Sequence, residues 1–301
     1  MIKDLKARFI FNPRSGHNAR NPYLLDHARQ FIAEHRLNAD VVLTERPRHA
    51  TELARQAIED GCQLVVAIGG DGTMNEVGCA LVGTETILGL IPCGSGNGLG
   101  RHLGIPGPGK GAFRTLLDGE PRPIDTGQAN GIPFFNAMGV GFDAEISDRF
   151  NRLFRRGLEA YAHTAISAFF RFRPQVCTIV YGQTKLLTSA FIVSIANSDQ
   201  YGNDCFIAPG AQVDDGRLNV TIIKKVNLIN ALPIAVRLFT RTIDGSQSVQ
   251  RLSGSHFIIE RAAPGLLHTD GETHQVDAAI AVSVLARSLR IMVPPKTTQK
   301  L

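Results

Sequence analysis

Hydrophobic positions along this chain follow two rhythms. Over residues 7–103, solid apolar runs alternate with amphipathic stretches. Residues 7–12 (Ala-Arg-Phe-Ile-Phe-Asn) read as a first strand. From Tyr23 to Arg36, Leu24, Leu25, Ala28, Phe31 and Ile32 recur at helical spacing and share one face. A second strand follows at Ala39–Thr44 and a second helix at Thr51–Asp60. Residues 64–68, Leu-Val-Val-Ala-Ile, form a β-branched run bounded by glycines, the pattern of a buried, parallel strand. Met74, Val77, Leu81 and Val82 predict a helix from Thr73 onward, with Thr73 as its cap. A fourth strand is expected at 86–91. Strand–helix alternation of this kind predicts a parallel sheet covered by helices.

After Pro106-Gly-Pro-Gly109 the rhythm changes. Strands punctuated by turns are expected at 132–138, 176–181, 186–196, 218–224, 256–260, 278–285 and 289–293, with one long helix near 156–171. This predicts a β-rich second domain, a sandwich or flattened barrel. Residues 294–301 read as a frayed tail.

Composition narrows the classes. The 301 residues suffice for two domains, and 44% hydrophobic with 20% charged content describes a globular chain. A net charge of +5 permits attraction to anionic nucleotides or an anionic membrane surface. With no tryptophan and no basic block interleaved with aromatics, nucleic acid is not expected as a partner. The charged start, Met1-Ile-Lys-Asp-Leu-Lys, does not read as a signal peptide, and no apolar run reaches the ~18 residues of a membrane span. Five cysteines without a Cys-x-x-Cys pair argue for a reducing cytoplasm and against disulfides or zinc.

Candidate chemistry gathers at turns. Gly69-Gly70-Asp71-Gly72 joins a strand to a helix, where free amides attract an anion such as phosphate. Asp71 would repel phosphate unless it holds a cation or takes a proton, so the turn suggests phosphoryl transfer with a divalent metal. A plain glycine turn with Asp71 as a cap accounts for the same residues. Pro92-Cys-Gly-Ser-Gly-Asn97 opens a second glycine-rich turn, with Ser95 and Asn97 as small polar groups. Asn12-Pro13-Arg14-Ser15-Gly16 follows the first strand, where open α/β sheets bind ligands. Asp214-Asp215-Gly216 could hold Mg²⁺ or Ca²⁺ through Asp215 and turn carbonyls, or be a solvated turn. His268-Thr-Asp270-Gly-Glu272 carries two carboxylates, one of which could act as general base, or is an acidic hairpin turn. Arg149, Arg152, Arg155 and Arg156 alternate with Phe150, Leu153 and Phe154 ahead of an apolar helix, the pattern of a membrane-touching segment or of a core helix with a basic start.

Together these motifs resemble the catalytic fold shared by bacterial soluble diacylglycerol kinases, sphingosine kinases and ceramide kinases. The resemblance rests on Asn12–Gly16, Gly69–Glu76, Pro92–Asn97 and Asp270-Gly-Glu272 in that order, and Ile124-Asp125-Thr-Gly127 and Asp215-Gly-Arg-Leu218 also fit. It implies an α/β N-terminal domain, a Rossmann-like parallel sheet of the NAD kinase/diacylglycerol kinase kind, followed by a β-rich sandwich domain. The expected division is 1–127 and 128–285, with 286–301 returning to the first domain. The implied activity is ATP-dependent phosphorylation of a long-chain lipid hydroxyl. Asn12, Pro13, Ser15, Gly16, Thr44, Gly69, Gly70, Asp71, Gly72, Thr73, Asn75, Glu76, Gly94, Ser95 and Asn97 would contact ATP. Asp71, supported by Asp125, would organise a catalytic Mg²⁺; Asp270 or Glu272 would be the base; Asp215 with the carbonyls of Gln212 and Arg217 would hold a structural Mg²⁺ or Ca²⁺. The implied partners are a lipid substrate and a transient membrane surface, and the reading allows a homodimer. An NAD kinase-like enzyme, which also uses a Gly-Gly-Asp-Gly loop, and a silent nucleotide- or lipid-binding module are the alternatives.

Overall fold

The computed structural model describes residues 2–21, 23–151, 168–169 and 171–295. The chain folds as two compact units, Met1–Ile124 with Arg287–Leu301, and Asp125–Ala286.

The first unit alternates β1 (Ala7–Phe11), α1 (Tyr23–His35), β2 (Ala39–Leu43), α2 (His49–Glu59), β3 (Leu64–Gly69), α3 (Asp71–Leu81), β4 (Ile87–Pro92), α4 (Gly98–His102) and α5 (Lys110–Asp118). Its strands run parallel in the order β2-β1-β3-β4, and residues 290–291 of the chain's last strand pair parallel with Ile87 and Leu88. All of β3 is buried, which is why its sequence is solidly apolar. Phe9, Phe31, Phe113 and Leu116 pack against the sheet in one apolar cluster. Strand β2 takes the edge, where Arg8 bonds Asp40 at 2.8 Å and Asp60 at 2.9 Å. The chain steps from β1 to β2 on one side and to β3 on the other, so the strand order reverses at the β1/β3 boundary. Ligands of open α/β sheets bind at such a reversal, beyond the carboxyl ends of the strands.

Two expectations change here. Helix α3 begins at Asp71, not Thr73, and its N-cap is Gly70, with no side-chain cap. The Thr73 hydroxyl instead accepts a hydrogen bond from Asn12 Nδ2 at 2.8 Å. The change of character expected after Gly109 is delayed by α5, whose Ala112, Phe113 and Leu116 are buried.

The second unit contains the end of β5 (Glu120–Ala129), β6 (Ile132–Phe134), β7 (Ala137–Gly141), α6 (Phe142–Asn151), β8 (Gln175–Tyr181), β9 (Thr184–Ala190), β10 (Ile192–Ala196), β11 (Leu218–Ile223), α7 (Ala231–Phe239), β12 (Val249–Gly254), β13 (His256–Arg261), β14 (Gly265–Thr269), β15 (Glu272–Val276) and most of β16 (Ala279–Val293). One antiparallel sheet runs β12-β11-β10-β7-β14-β15; strands β16, β13, β8 and β9 form another. Met138, Ile195, Leu267, Phe257 and Ile280 from the two sheets share a dry core, making this a sandwich.

Residues 186–196 were expected as one strand but divide at Phe191, because β9 pairs with β8 in one sheet and β10 with β11 in the other. Conversely, 278–285 and 289–293 are one strand, β16. Helices α6 and α7 were not expected; the acidic turn at 268–272, read either as a base-bearing site or as a hairpin turn, joins β14 to β15 as a hairpin. The helix expected at 156–171 lies almost wholly outside the described residues, as do Arg152, Arg155 and Arg156. Arg149 lies in the last turn of α6 and pairs with Glu145 at 2.7 Å. Among the described residues no helix is long and apolar enough to cross a membrane.

Candidate active site

In the first unit, three loops after parallel strands are stitched together at their bases. Cys93 N–H donates to the Gly69 carbonyl at 2.6 Å, and His17 N–H to the Cys93 carbonyl at 3.0 Å. Ser15 Oγ donates to that same carbonyl at 3.3 Å. Asn12 Oδ1 accepts the Arg14 amide at 2.9 Å while its Nδ2 reaches Thr73, so Asn12 ties the loop after β1 to the first turn of α3. Asn18, which sequence reasoning missed, is buried and donates to the carbonyls of Asn12 at 2.7 Å and Ile68 at 3.2 Å. Its only sequence signal is its place two residues beyond Gly16.

The two glycine turns meet backbone to backbone. A Cβ on Gly94 would lie 2.7 Å from Gly70 Cα, and one on Gly70 would lie 3.0 Å from Gly94 Cα. Asp71 locks them: Oδ2 accepts the Asn97 amide and Oδ1 the Gly98 amide, both at 2.8 Å. Asn97 sits in the left-handed region and closes its own loop by bonding both the N–H and the carbonyl of Gly94. Asp71 therefore serves the start of α4, 26 residues onward, while the amides at the head of α3 receive no side-chain cap. A helix start left open in this way carries partial positive charge and suits a phosphate. Gly72 is exposed, and a Cβ there would meet nothing within 4 Å. The residues present thus fit a nucleotide phosphate: a glycine-lined turn with open amides and room at Gly72.

Other expected contacts sit at different depths. Ser95 is exposed on the second turn, while Thr44 is buried at the end of β2 and Asn75 within α3. Pro13 is half-buried and Gly16 exposed in the loop after β1. Glu76 accepts the amides of Arg48 at 3.1 Å and Ala50 at 3.0 Å, capping α2. Burial pushes the Cys93 thiol up to about 12, which leaves no nucleophilic thiolate there.

In the second unit, Asp125 is buried, and its Oδ2 accepts the Gly216 amide at 2.6 Å. Its own amide donates to the Val213 carbonyl at 2.6 Å. Asp125 is thus brought together with the turn of Gln212, Asp215 and Arg217. Asp215 Oδ1 accepts the Arg217 amide at 2.9 Å. One carboxylate with turn carbonyls is a hard oxygen set, compatible with Mg²⁺ or Ca²⁺ completed by water. Among the described residues no three His, Cys, Asp or Glu side chains converge as a metal site.

The two acids of the β14–β15 turn have different surroundings. Asp270, at φ 49°, accepts the amides of Phe135 and Asn136 at 2.8 Å and of Ala137 at 3.1 Å. Three amide donors fix this carboxylate as an anchor between β14 and the start of β7. Glu272 begins β15 and is exposed. Behind the turn lies a buried pair: His268 Nε2 is 3.2 Å from Asp143 Oδ2, which also accepts the Tyr201 hydroxyl at 3.1 Å. Gly271 N–H points to His268 Nδ1 at 3.4 Å, which assigns the proton to Nε2. The pairing was not visible in sequence, since His268 and Asp143 lie 125 residues apart.

Residues 6–129 match the family described as the diacylglycerol kinase catalytic domain, and residues 136–293 the YegS C-terminal NAD kinase beta sandwich-like domain. The chain belongs to the diacylglycerol kinase catalytic family. A diacylglycerol kinase of Bacillus subtilis is 29% identical over 304 residues, covering 98% of this chain and 99% of that protein. A Chromohalobacter salexigens protein named "Probable lipid kinase YegS-like" is 29% identical over 228 residues, 73% of each. The crystal structure of a diacylglycerol kinase from Bacillus anthracis superimposes with a TM-score of 0.75 at 18% identity, covering 96% of this chain and 97% of that one. That likeness establishes the fold: an α/β unit and a β-sandwich in the order this family carries them.

Proposed function

We propose that this protein is an ATP-dependent lipid kinase that transfers the γ-phosphoryl group, with Mg²⁺, to the hydroxyl of a long-chain lipid, a diacylglycerol or a sphingoid base. The observation that carries this reading is the lock of Asp71 across two glycine turns beside the uncapped head of α3. Phosphoryl transfer depends on holding a polyphosphate still and meeting its charge, and little covalent work falls to the protein. The amides of residues 71–73 receive phosphate oxygens, and Ser95, Thr44 and the Asn12–Gly16 loop complete the nucleotide's surroundings. Asp71 orients the second turn and keeps carboxylate lone pairs that would serve a cation. Asp215 and the carbonyls of Gln212 and Arg217 would hold a second, structural cation. A divalent cation supplies charge neutralisation for the polyphosphate when bound. Glu272 takes the proton from the lipid hydroxyl, because the Asp270 carboxylate is committed to three backbone amides.

The test is a mass-resolved assay of the full chain with ATP and Mg²⁺ against diacylglycerol, sphingosine, ceramide, phosphatidylglycerol and NAD. Phosphorylation of diacylglycerol or sphingosine is the expected result. Phosphorylation of NAD alone overturns the lipid assignment, and ATP binding without any product overturns catalysis.

A further inference from the structure

Helix α7 is apolar on two sides. Its inner row, Ile234 and Leu238, packs with Ala137, Ile207, Ile223 and Ile243. Its outer row should therefore be polar, as on an ordinary surface helix. Instead Leu232, Val236 and Phe239 are 71%, 52% and 50% exposed, and Leu228 and Ile229 in the turn before the helix are 70% and 87% exposed. These are five of the nine large apolar side chains that the described residues leave exposed, and they fall within 12 residues. Scattered exposed apolar residues are ordinary; a contiguous row is a binding surface.

The charge around this row selects its partner. No Asp or Glu occurs between Arg217 and Asp244, while Lys224, Lys225, Arg237 and Arg241 flank the row. Lys224, Lys225 and Arg241 are exposed. Asp244, at the acidic border, is bonded to Arg251 at 2.5 Å. Exposed Asp204 also lies close by, two residues before Phe206, whose amide bonds the Leu238 carbonyl at 2.8 Å. An apolar row whose flanking charges are in cationic excess, four against these two acids, has the chemistry of a helix lying in the headgroup layer of an anionic bilayer. We infer that α7 and the turn before it dock this protein onto an anionic phospholipid surface, with Ile229 and Leu232 entering the acyl boundary and Lys224 and Lys225 meeting headgroups. This rests on the lipid-kinase reading for its purpose, since a long-chain lipid acceptor resides in a bilayer, but the surface is argued from exposure and charge.

The experiment is sedimentation of the full chain, without nucleotide, with vesicles of phosphatidylcholine alone or mixed with phosphatidylglycerol. Binding to the mixed vesicles is expected, weaker on neutral ones. Ile229→Ser with Leu232→Ser should weaken it by about tenfold or more, and Lys224→Gln with Lys225→Gln by about fivefold per cation, the latter loss shrinking at high salt. Leu187→Ser, which alters an exposed apolar residue on β9, should change nothing. All three variants should melt with the parent. Absence of vesicle binding, or equal binding by parent and both α7 variants, overturns the proposal. So does a parent dimer that the Ile229/Leu232 variant converts to monomer with vesicle binding intact, because the face then serves a second copy of the chain. Activity on diacylglycerol in detergent micelles separates the two readings. Loss of vesicle binding in variants of an enzyme inactive on every lipid leaves the surface standing and the kinase reading overturned. Normal vesicle binding by the variants of an active enzyme does the reverse.

Discussion

Asp270 and Glu272 are two residues apart and chemically alike, yet the fold gives them different surroundings: Asp270 accepts three backbone amides and Glu272 is exposed. Asp270→Asn replaces an acceptor of three amides with a group that presents N–H to N–H. It should cost on the order of 2–4 kcal/mol of stability, read as a fall in denaturation midpoint. Glu272→Gln should leave the midpoint unchanged and lower kcat at least ~100-fold with little effect on the KM for ATP. Equal loss of stability in both variants would refute the division. A different residue contributes to the pH dependence of stability. The Cys93 thiol is raised by burial to about 12 from an ordinary 9.0, so the folded state favours the protonated thiol. Its contribution is present below pH 9 and declines as pH rises from 9 toward 12. Native protein at pH 8 should therefore label slowly at Cys93 with a maleimide, and Cys93→Ala should lessen the alkaline loss of stability above pH 9, the remainder coming in part from Cys205, which burial also pushes up to about 12.

At the scale of elements, the two glycine turns separate packing from binding. Gly94→Ala places a Cβ 2.7 Å from Gly70 Cα and 2.9 Å from Asn97 Oδ1, so the turns must part and the melting temperature should fall by several degrees. Gly72→Ala meets nothing within 4 Å and should fold normally, with loss confined to nucleotide affinity measured by calorimetry. Equal melting of the two variants would remove the distinction. Much of this element-level picture was legible in the chain. Strands β3 and β4 carry no charged residue, because both faces of a parallel sheet are covered; β1 breaks the pattern only at Arg8, which faces Asp40 and Asp60 near the sheet edge, and the turns after these strands stand out by composition. Other features hid for physical reasons. Helix α7 has apolar residues on both sides, so it shows no clean stripe. The break at Phe191 depends on which sheet each half joins, which no local pattern records. That Asp71 caps α4 rather than α3 follows from a contact across 26 residues.

At the scale of the molecule, the chain passes between the units twice, within β5 and within β16. Residues 287–293 belong to the first unit, where Leu289, Ile291, Met292 and Val293 are buried and the Ser288 carbonyl accepts the Gly83 amide at 2.7 Å. Ending the chain at Ala286 removes those four side chains, each worth ~1.5–3 kcal/mol when buried. That loss rivals the ~5–15 kcal/mol stability of a whole protein. The truncated chain should be insoluble or lack cooperative melting, and adding residues 287–295 as a peptide should restore part of the signal. A soluble, cooperatively melting truncation would refute this. The same return of the chain bears on synthesis. A ribosome makes the first unit's opening 124 residues, then all of the second unit, and only then the strand that closes the first sheet along β4. Until those final residues emerge, the nascent chain carries a bare parallel strand edge, a period of exposure in which holdase chaperones and translation pace govern how much of it reaches the native state.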